Sequence, residues 1–276
     1  MMTVTAHPTT SRHAATPAIA MNATAMNAAA MNKIVVLGAT SGIALEVQRL
    51  LAHRGCELLL VARSSQRLTE LKADLAIRGA QQVLTYSADL ASIQQHAAIF
   101  EFTRRNFSDF DTVLLAYGSM HDQKESESSV DVLLGELRVN FVSATAILTL
   151  FAADLERRRT GCVAAITSVA GDRGRRSNYV YGSAKGALSL FLQGLRSRLH
   201  PAGVRVITIK PGPVQTPMTD HLPNATRFAD PEQVARDIVG ALERRSPDVL
   251  YTPKVWRYVM SAVQQIPEGI FKRLSF

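Results

Sequence analysis

The sequence predicts an α/β fold built on a doubly wound parallel sheet, in a single domain. Three observations carry that expectation. Aliphatic and β-branched runs of strand length recur along the chain, as fits strands buried on both faces. Stretches with apolar residues at helical spacing alternate with them, the pattern of a sheet covered by helices on both sides. The first run ends in a glycine turn that opens directly into such a stretch.

KIVVL (33–37) is the first buried strand, and an amphipathic helix follows its turn to about His53. ELLLVA (57–62) is the second strand. Leu68, Leu71 and Leu75 then stand at helical spacing within a helix over 65–78. QVLTYS is the third strand, followed by a helix over about 92–106, and DTVLLA (111–116) is the fourth. A long helix covers 130–157, CVAAITS (162–168) is the fifth strand, and a helix covers 179–199. VRVITI (204–209) is the sixth strand. The helix after it begins with Asp230 as cap and Pro231 at its first position, and DVLY is a last short strand. No internal repeat and no second domain emerge. One domain spans 32–252, a Rossmann fold by this order of elements, and 253–276 is an amphipathic C-terminal extension.

Residues 1–31 are rich in Ala, Thr, Asn and Met, with Arg12 as their only formal charge. They read as a disordered tail or an extended start ahead of Met31, not as a secretory signal or a transit peptide. The formal net charge of +8 favours anionic partners: a phosphorylated cofactor or substrate, a lipid surface, or nucleic acid. Basic clusters fall at Arg157–Arg158–Arg159, at Arg173, Arg175 and Arg176, at Arg244–Arg245 and near the C-terminus, each readable as a solvated face. No aromatic-studded basic groove supports nucleic acid. Cys56 and Cys162 lie far apart among apolar residues, with neither a metal-ligand pattern nor a disulfide framework, as suits buried thiols in a reducing compartment. The longest uncharged apolar run, Val139–Ala153, falls short of the ~18 residues of a membrane span.

The first turn is Gly38, Ala39, Thr40, Ser41, Gly42, Ile43, Ala44. A glycine turn between a buried strand and a helix lets backbone approach a pyrophosphate at the helix N-terminus. The second strand ends VARS, where Arg63 stands in place of the acid that would hold the free ribose hydroxyls of NAD. That favours NADPH, with NADH as the other option. Asp89 and Leu90, after the third strand, are placed beside the adenine; Asp89 reads equally as a cap of the next helix.

Tyr181 follows the strand-end Ser168 by thirteen residues, and Lys185 follows Tyr181 by four. Positions i and i+4 share a helix face, so Tyr181 and Lys185 point together toward the carboxyl edge of the sheet, where ligands bind. Tyr179 faces elsewhere, as packing or a pocket wall. A carbonyl that accepts hydride needs a proton donor and a hydrogen bond that strengthens as charge grows. A free phenol, with a pKa of ~10, is a sluggish donor; a nearby ammonium would lower that value. Tyr181 is therefore the candidate acid, Ser168 orients the carbonyl, and Lys185 supports the phenol and the nicotinamide ribose.

With GATSGIA, ADL, Asn140, the Ser168, Tyr181 and Lys185 set, and PGPVQT (211–216), residues 33–255 resemble the short-chain dehydrogenase/reductase family. The resemblance implies an NAD(P)-dependent oxidoreductase acting between CH–OH and C=O. It implies that Asn140 holds a helix bend and a proton-relay water, and that Pro211, Gly212, Val214 and Thr216 line the nicotinamide side. It also implies a homodimer or homotetramer formed through the long helix and the helix bearing Tyr181. Two departures stand out. The turn's third glycine is Ala44, which tightens helix–strand packing. The family's Asn-Asn-Ala-Gly is here Leu115, Ala116, Tyr117 and Gly118, which removes two amides from the cross-linking of the central strands.

SVAGDRGRRSNYVYGSAKGAL and WRYVMSAVQQIPEGIFKRL look more narrowly like the decaprenylphosphoryl-2-keto-ribose reductases. That likeness implies reduction of the 2-keto group of a polyprenyl-phosphate-linked pentose, after a separate flavin oxidase, in the epimerisation of ribose to arabinose for the cell wall. It implies a cytoplasmic protein with peripheral contact at the inner membrane face. Arginines of the Asp172–Arg176 stretch offer a phosphate site, an exposed loop or a subunit contact. The apolar residues and bases of 253–276 suit a bilayer surface or packing on the core. The alternatives are a reductase of a soluble ketone or ketoacyl thioester, or a cofactor-sensing protein of the same fold without turnover.

Overall fold

The computed structural model describes residues 32–222, 225–243 and 247–274; the expectations for residues 1–31 and for Arg244–Arg245 lie outside them. In chain order the strands are β1 (Lys33–Leu37), β2 (Glu57–Ala62), β3 (Gln82–Ser87), β4 (Thr112–Leu115), β5 (Cys162–Ile166), β6 (Arg205–Pro211) and β7 (Val249–Thr252). They pair in parallel in the order β3-β2-β1-β4-β5-β6-β7. The helices are α1 (Gly42–His53), α2 (Ser65–Ile77), α3 (His96–Asn106), α4 (Gln123–Ser128), α5 (Val130–Leu137), α6 (Ala144–Arg158), α7 (Tyr179–Leu199), α8 (Pro231–Glu243), α9 (Val255–Gln265) and α10 (Glu268–Phe271).

Strand alternation divides the core between the two faces of the sheet. Ile34 and Val36 join Val47 and Leu51 of α1, Leu68 of α2 and Ile238 of α8 on one face. Val35 and Leu37 join Ile99 of α3, Phe151 of α6 and Leu192 of α7 on the other. From β1 the chain steps outward to β2 and β3, then returns to the opposite side of β1 with β4. A crevice opens where the order reverses, beyond the carboxyl ends of β1 and β4.

The expected helix over 130–157 is present but not uniform. Between α5 and α6, Arg138–Ser143 forms a π-helical turn. Asn140 inserts its amide there, donating from Nδ2 to the Glu136 carbonyl at 3.2 Å and to Ser119 O at 2.9 Å. A side chain pushed into the i→i−4 ladder is a standard cause of such a turn. The continuous helix Val130–Arg158 is long and apolar enough to cross a membrane by length and composition, contrary to the expectation from run length. Here its Ile147, Leu148 and Phe151 are fully buried against the sheet. The short α4, capped by Asp122, is an addition to the sequence reading.

Candidate active site

A cavity of about 600 Å³ lies over the carboxyl ends of the central strands. Every residue expected to touch the cofactor lines it: Gly38, Thr40, Ser41, Gly42, Ile43, Arg63, Asp89, Leu90, Ala116, Tyr117, Gly118, Pro211, Gly212, Val214 and Thr216. Ser168, Tyr181 and Lys185 line the same cavity. Asn140 does not; it sits behind Gly118. A Cβ added at Gly118 would fall 2.6 Å from Asn140 Oδ1 and 3.1 Å from Lys185 Nζ, so both groups crowd one point on the strand-end backbone.

Ser168 ends the segment after β5 in extended conformation, and its Oγ accepts from the Ala170 amide at 3.0 Å. Tyr181 lies in the first turn of α7 and hydrogen-bonds Ser168. Burial pushes the Tyr181 phenol up to about 12; the Ser168 bond pulls it down and the Glu136 charge pushes it up. Lys185 is buried, its Nζ donating to the Ile166 carbonyl at 3.3 Å and lying 5.8 Å from the Tyr181 ring centroid. Burial draws its pKa down to about 8, partly offset by Glu136. The expected acidification of the phenol is thus outweighed by desolvation. Tyr179 is neither packing nor pocket wall: it is 42% exposed and stands outside the cavity, two positions round the helix from Tyr181.

Glu136 escaped the sequence reading. It is 1% exposed and accepts from Asn140 Nδ2 at 2.8 Å, from Ser119 Oγ at 3.1 Å and from the His121 amide at 3.2 Å, and it also pairs with His121 Nδ1. It stands one turn before Asn140, so i, i+4 spacing was the available signal.

The other end of the cavity suits a dinucleotide. Gly38 has φ +92°, and its Cβ position is filled by Tyr117 at 2.6 Å, so the turn requires glycine. Ser41 caps α1, and Gly42 and Ile43 bring first-turn amides, which lack intrahelical partners, to the cavity wall. Arg63 is joined by Arg67, a second exposed base at that end that the sequence reading passed over. Asp89 lines the cavity, and its Oδ1 accepts from the Ala91 amide at 3.1 Å, closing a local turn; it does not cap the next helical turn, whose N-cap is Ser92. Tyr117 supplies a cross-link where two amides are missing. Its Oη meets Ser143 Oγ at 2.7 Å, and Ser143 in turn donates to the Leu90 carbonyl, tying the end of β4 to the long helix and the loop after β3.

The short chain dehydrogenase model matches residues 32–227. The chain belongs to the short-chain dehydrogenase family. It is accordingly an NAD(P)-dependent oxidoreductase acting between CH–OH and C=O. An uncharacterized oxidoreductase of Streptomyces coelicolor is 35% identical over 246 residues, covering 87% of this chain and 95% of that one. Another, from Mycobacterium tuberculosis, is 32% identical over 241 residues, covering 87% and 96%. A solved short-chain dehydrogenase from Sphingobium yanoikuyae in complex with NADPH superposes with a TM-score of 0.75 at 23% identity, covering 88% and 96%, a likeness of fold.

In this short-chain dehydrogenase the loop between Ser168 and Tyr181 is held from two sides. Asp172 is buried, pairs with Lys210 of β6, and accepts from Tyr251 Oη of β7 at 2.8 Å. Arg173 is not a free phosphate site. Its guanidinium donates to the carbonyls of Val263 and Ile266, each at 2.6 Å, capping the end of α9. It also pairs with Glu268 at 3.1 Å and lies 3.7 Å from the Phe271 ring centroid. Trp256 of α9 fills the space over Gly212, where an added Cβ would lie 1.9 Å from its Nε1. The segment after β7 therefore touches both the Ser168–Tyr181 loop and the turn after β6, while Val255, Tyr258 and Ile270 stay exposed.

Proposed function

We propose that this short-chain dehydrogenase is an NADPH-dependent ketoreductase, and that Tyr181 protonates the oxygen of the ketone it reduces. The observation that carries this reading is the meeting of Ser168, Tyr181 and Lys185 in one cavity whose far end holds Arg63 and Arg67. The two arginines suit a 2′-phosphate, and the Sphingobium relative is one that holds NADPH. Bound NADPH would supply the hydride to the carbonyl carbon. The Ser168 and Tyr181 hydroxyls hydrogen-bond the carbonyl oxygen as it gains charge, and Tyr181 gives it a proton. Lys185 holds the nicotinamide ribose and stabilises the phenolate left behind, and Asn140 keeps the relay behind it.

For the substrate, the narrower sequence likeness favours the 2-keto group of a polyprenyl-phosphate-linked pentose, produced by a flavin oxidase. Exposed Val255 and Tyr258 beside Lys254 and Arg257 suit peripheral contact with an anionic membrane. Fluorescence titration with NADPH and NADH, wild type against Arg63→Asp, tests the cofactor. The expected outcome is tighter NADPH in wild type and a lost or inverted preference in the variant; equal affinities in both proteins would refute the arginine's role. Coupled assay with a flavin oxidase and the lipid-linked pentose tests the substrate, and failure to consume NADPH there, alongside turnover of a soluble ketone, would reject the lipid-linked assignment.

A further inference from the structure

Of the three arginines between Ser168 and Tyr181, Arg173 is engaged by α9 and α10, and Arg176 is exposed. Arg175 differs from both. Its side chain is half-buried and lines the catalytic cavity. Its Nε is enclosed and has no hydrogen-bond partner among the described residues. Burial draws its pKa down. Asn178, one turn before Tyr181, lines the same cavity, and its enclosed Oδ1 is also unpartnered among the described residues. A single turn holds the two residues together, the Asn178 amide donating to the Arg175 carbonyl at 3.1 Å.

An enclosed guanidinium nitrogen without an acceptor is unfavourable, and so is an enclosed carbonyl without a donor. Here both border a cavity open to ligands, on the loop that joins the two hydroxyls of the candidate site. The 2′-phosphate end of that cavity has its own bases in Arg63 and Arg67. We propose that Arg175 and Asn178 form an anchoring subsite for a ketone substrate that carries an anionic oxygen, as carboxylate or phosphate, beside a hydroxyl. The guanidinium fork takes two oxygens of either anion, and Asn178 Oδ1 accepts from the hydroxyl. The inference rests on the ketoreductase reading and adds the substrate's charge to it.

Calorimetric titration of dihydroxyacetone phosphate into the NADP⁺-saturated enzyme tests it, in wild type, Arg175→Gln, Arg175→Lys and Arg176→Gln. Arg175→Gln should weaken binding by about ten- to a hundredfold, the usual cost of losing hydrogen bonds to a charged group. Arg175→Lys keeps the charge without the fork and should lose less; Arg176→Gln should match wild type. Inorganic phosphate, octyl phosphate and levulinate separate free phosphate, alkyl-borne phosphate and carboxylate, and the tightest Arg175-dependent binder identifies the anion. NADPH affinity by fluorescence should be the same in all four proteins. The proposal is overturned if wild type binds none of the four probes, or binds them no better than Arg175→Gln. It is also overturned if Arg175→Gln folds by circular dichroism but loses NADPH, which would assign the arginine to the cofactor. Should Arg175→Gln fail to fold, Arg175→Lys decides by the same criteria. Arg175-dependent binding without turnover of any ketone would count against the ketoreductase reading and leave the subsite standing.

Discussion

Tyr181 is set in surroundings that hold its proton. Desolvation and the Glu136 charge outweigh the Ser168 hydrogen bond, and the phenol rises to about 12. A phenol raised that far is a weaker acid than a free one, so its proton transfer depends on the Lys185 ammonium stabilising the phenolate as it forms. Tyr181→Phe should cut kcat/KM for ketone reduction by about 10²- to 10⁴-fold, with NADPH affinity by fluorescence near wild type; near-normal turnover would remove the phenol from the chemistry. Lys185, drawn down to about 8, loses its ammonium as pH rises through that value. The rate profile should therefore decline on its alkaline side. Glu136→Gln keeps a hydrogen-bonding partner for Asn140 but removes the charge that raises Lys185, so the decline should move to lower pH. An unmoved alkaline limb in that variant would show that Glu136 and Lys185 are uncoupled. At this scale the Tyr181–Lys185 pair was legible because helix periodicity alone aligns it. Glu136 was not, because an acid in a helix normally reads as solvated. What draws it inward is Ser119 and His121, more than a dozen residues away in the chain.

Among the elements, strands were legible wherever apolar residues ran unbroken, as in β1, β2 and β4. The π-helical turn at Arg138–Ser143 was hidden, since apolar spacing continues through it and only the insertion of Asn140 betrays it. The fate of the arginines after Ser168 was equally hidden. Sequence proximity grouped Arg173, Arg175 and Arg176, whereas tertiary contacts send Arg173 to α9 and Arg175 to the cavity. Arg173→Ala would remove the guanidinium donor from the Val263 and Ile266 carbonyls and strip the cation from the Phe271 ring. A loss of about 1–3 kcal/mol is expected for hydrogen bonds to a charged group. It should appear as a lowered Tm and faster amide exchange across 255–271. Unchanged exchange in that segment would mean that the arginine does not hold it.

At the scale of the whole molecule, α7 serves two surfaces at once. Tyr181 and Lys185 face the cavity; Leu190, nine positions after Tyr181, comes round to the opposite side of the helix and is 67% exposed. Val142 and Leu134, on the long helix that packs beside α7, are exposed as well. Exposed apolar side chains of this kind are what association between copies would cover, and they lie on the two helices where the sequence resemblance leads one to expect the contact. Leu190→Arg should then lower the mass seen by light scattering to that of the monomer, because a charge would be desolvated in the contact. NADPH should still bind, since Tyr181 and Lys185 are on the far side of the helix, but Tm should fall as α7 loses its cover. A Leu190→Arg protein with wild-type mass and Tm would place the contact elsewhere and leave this face to solvent.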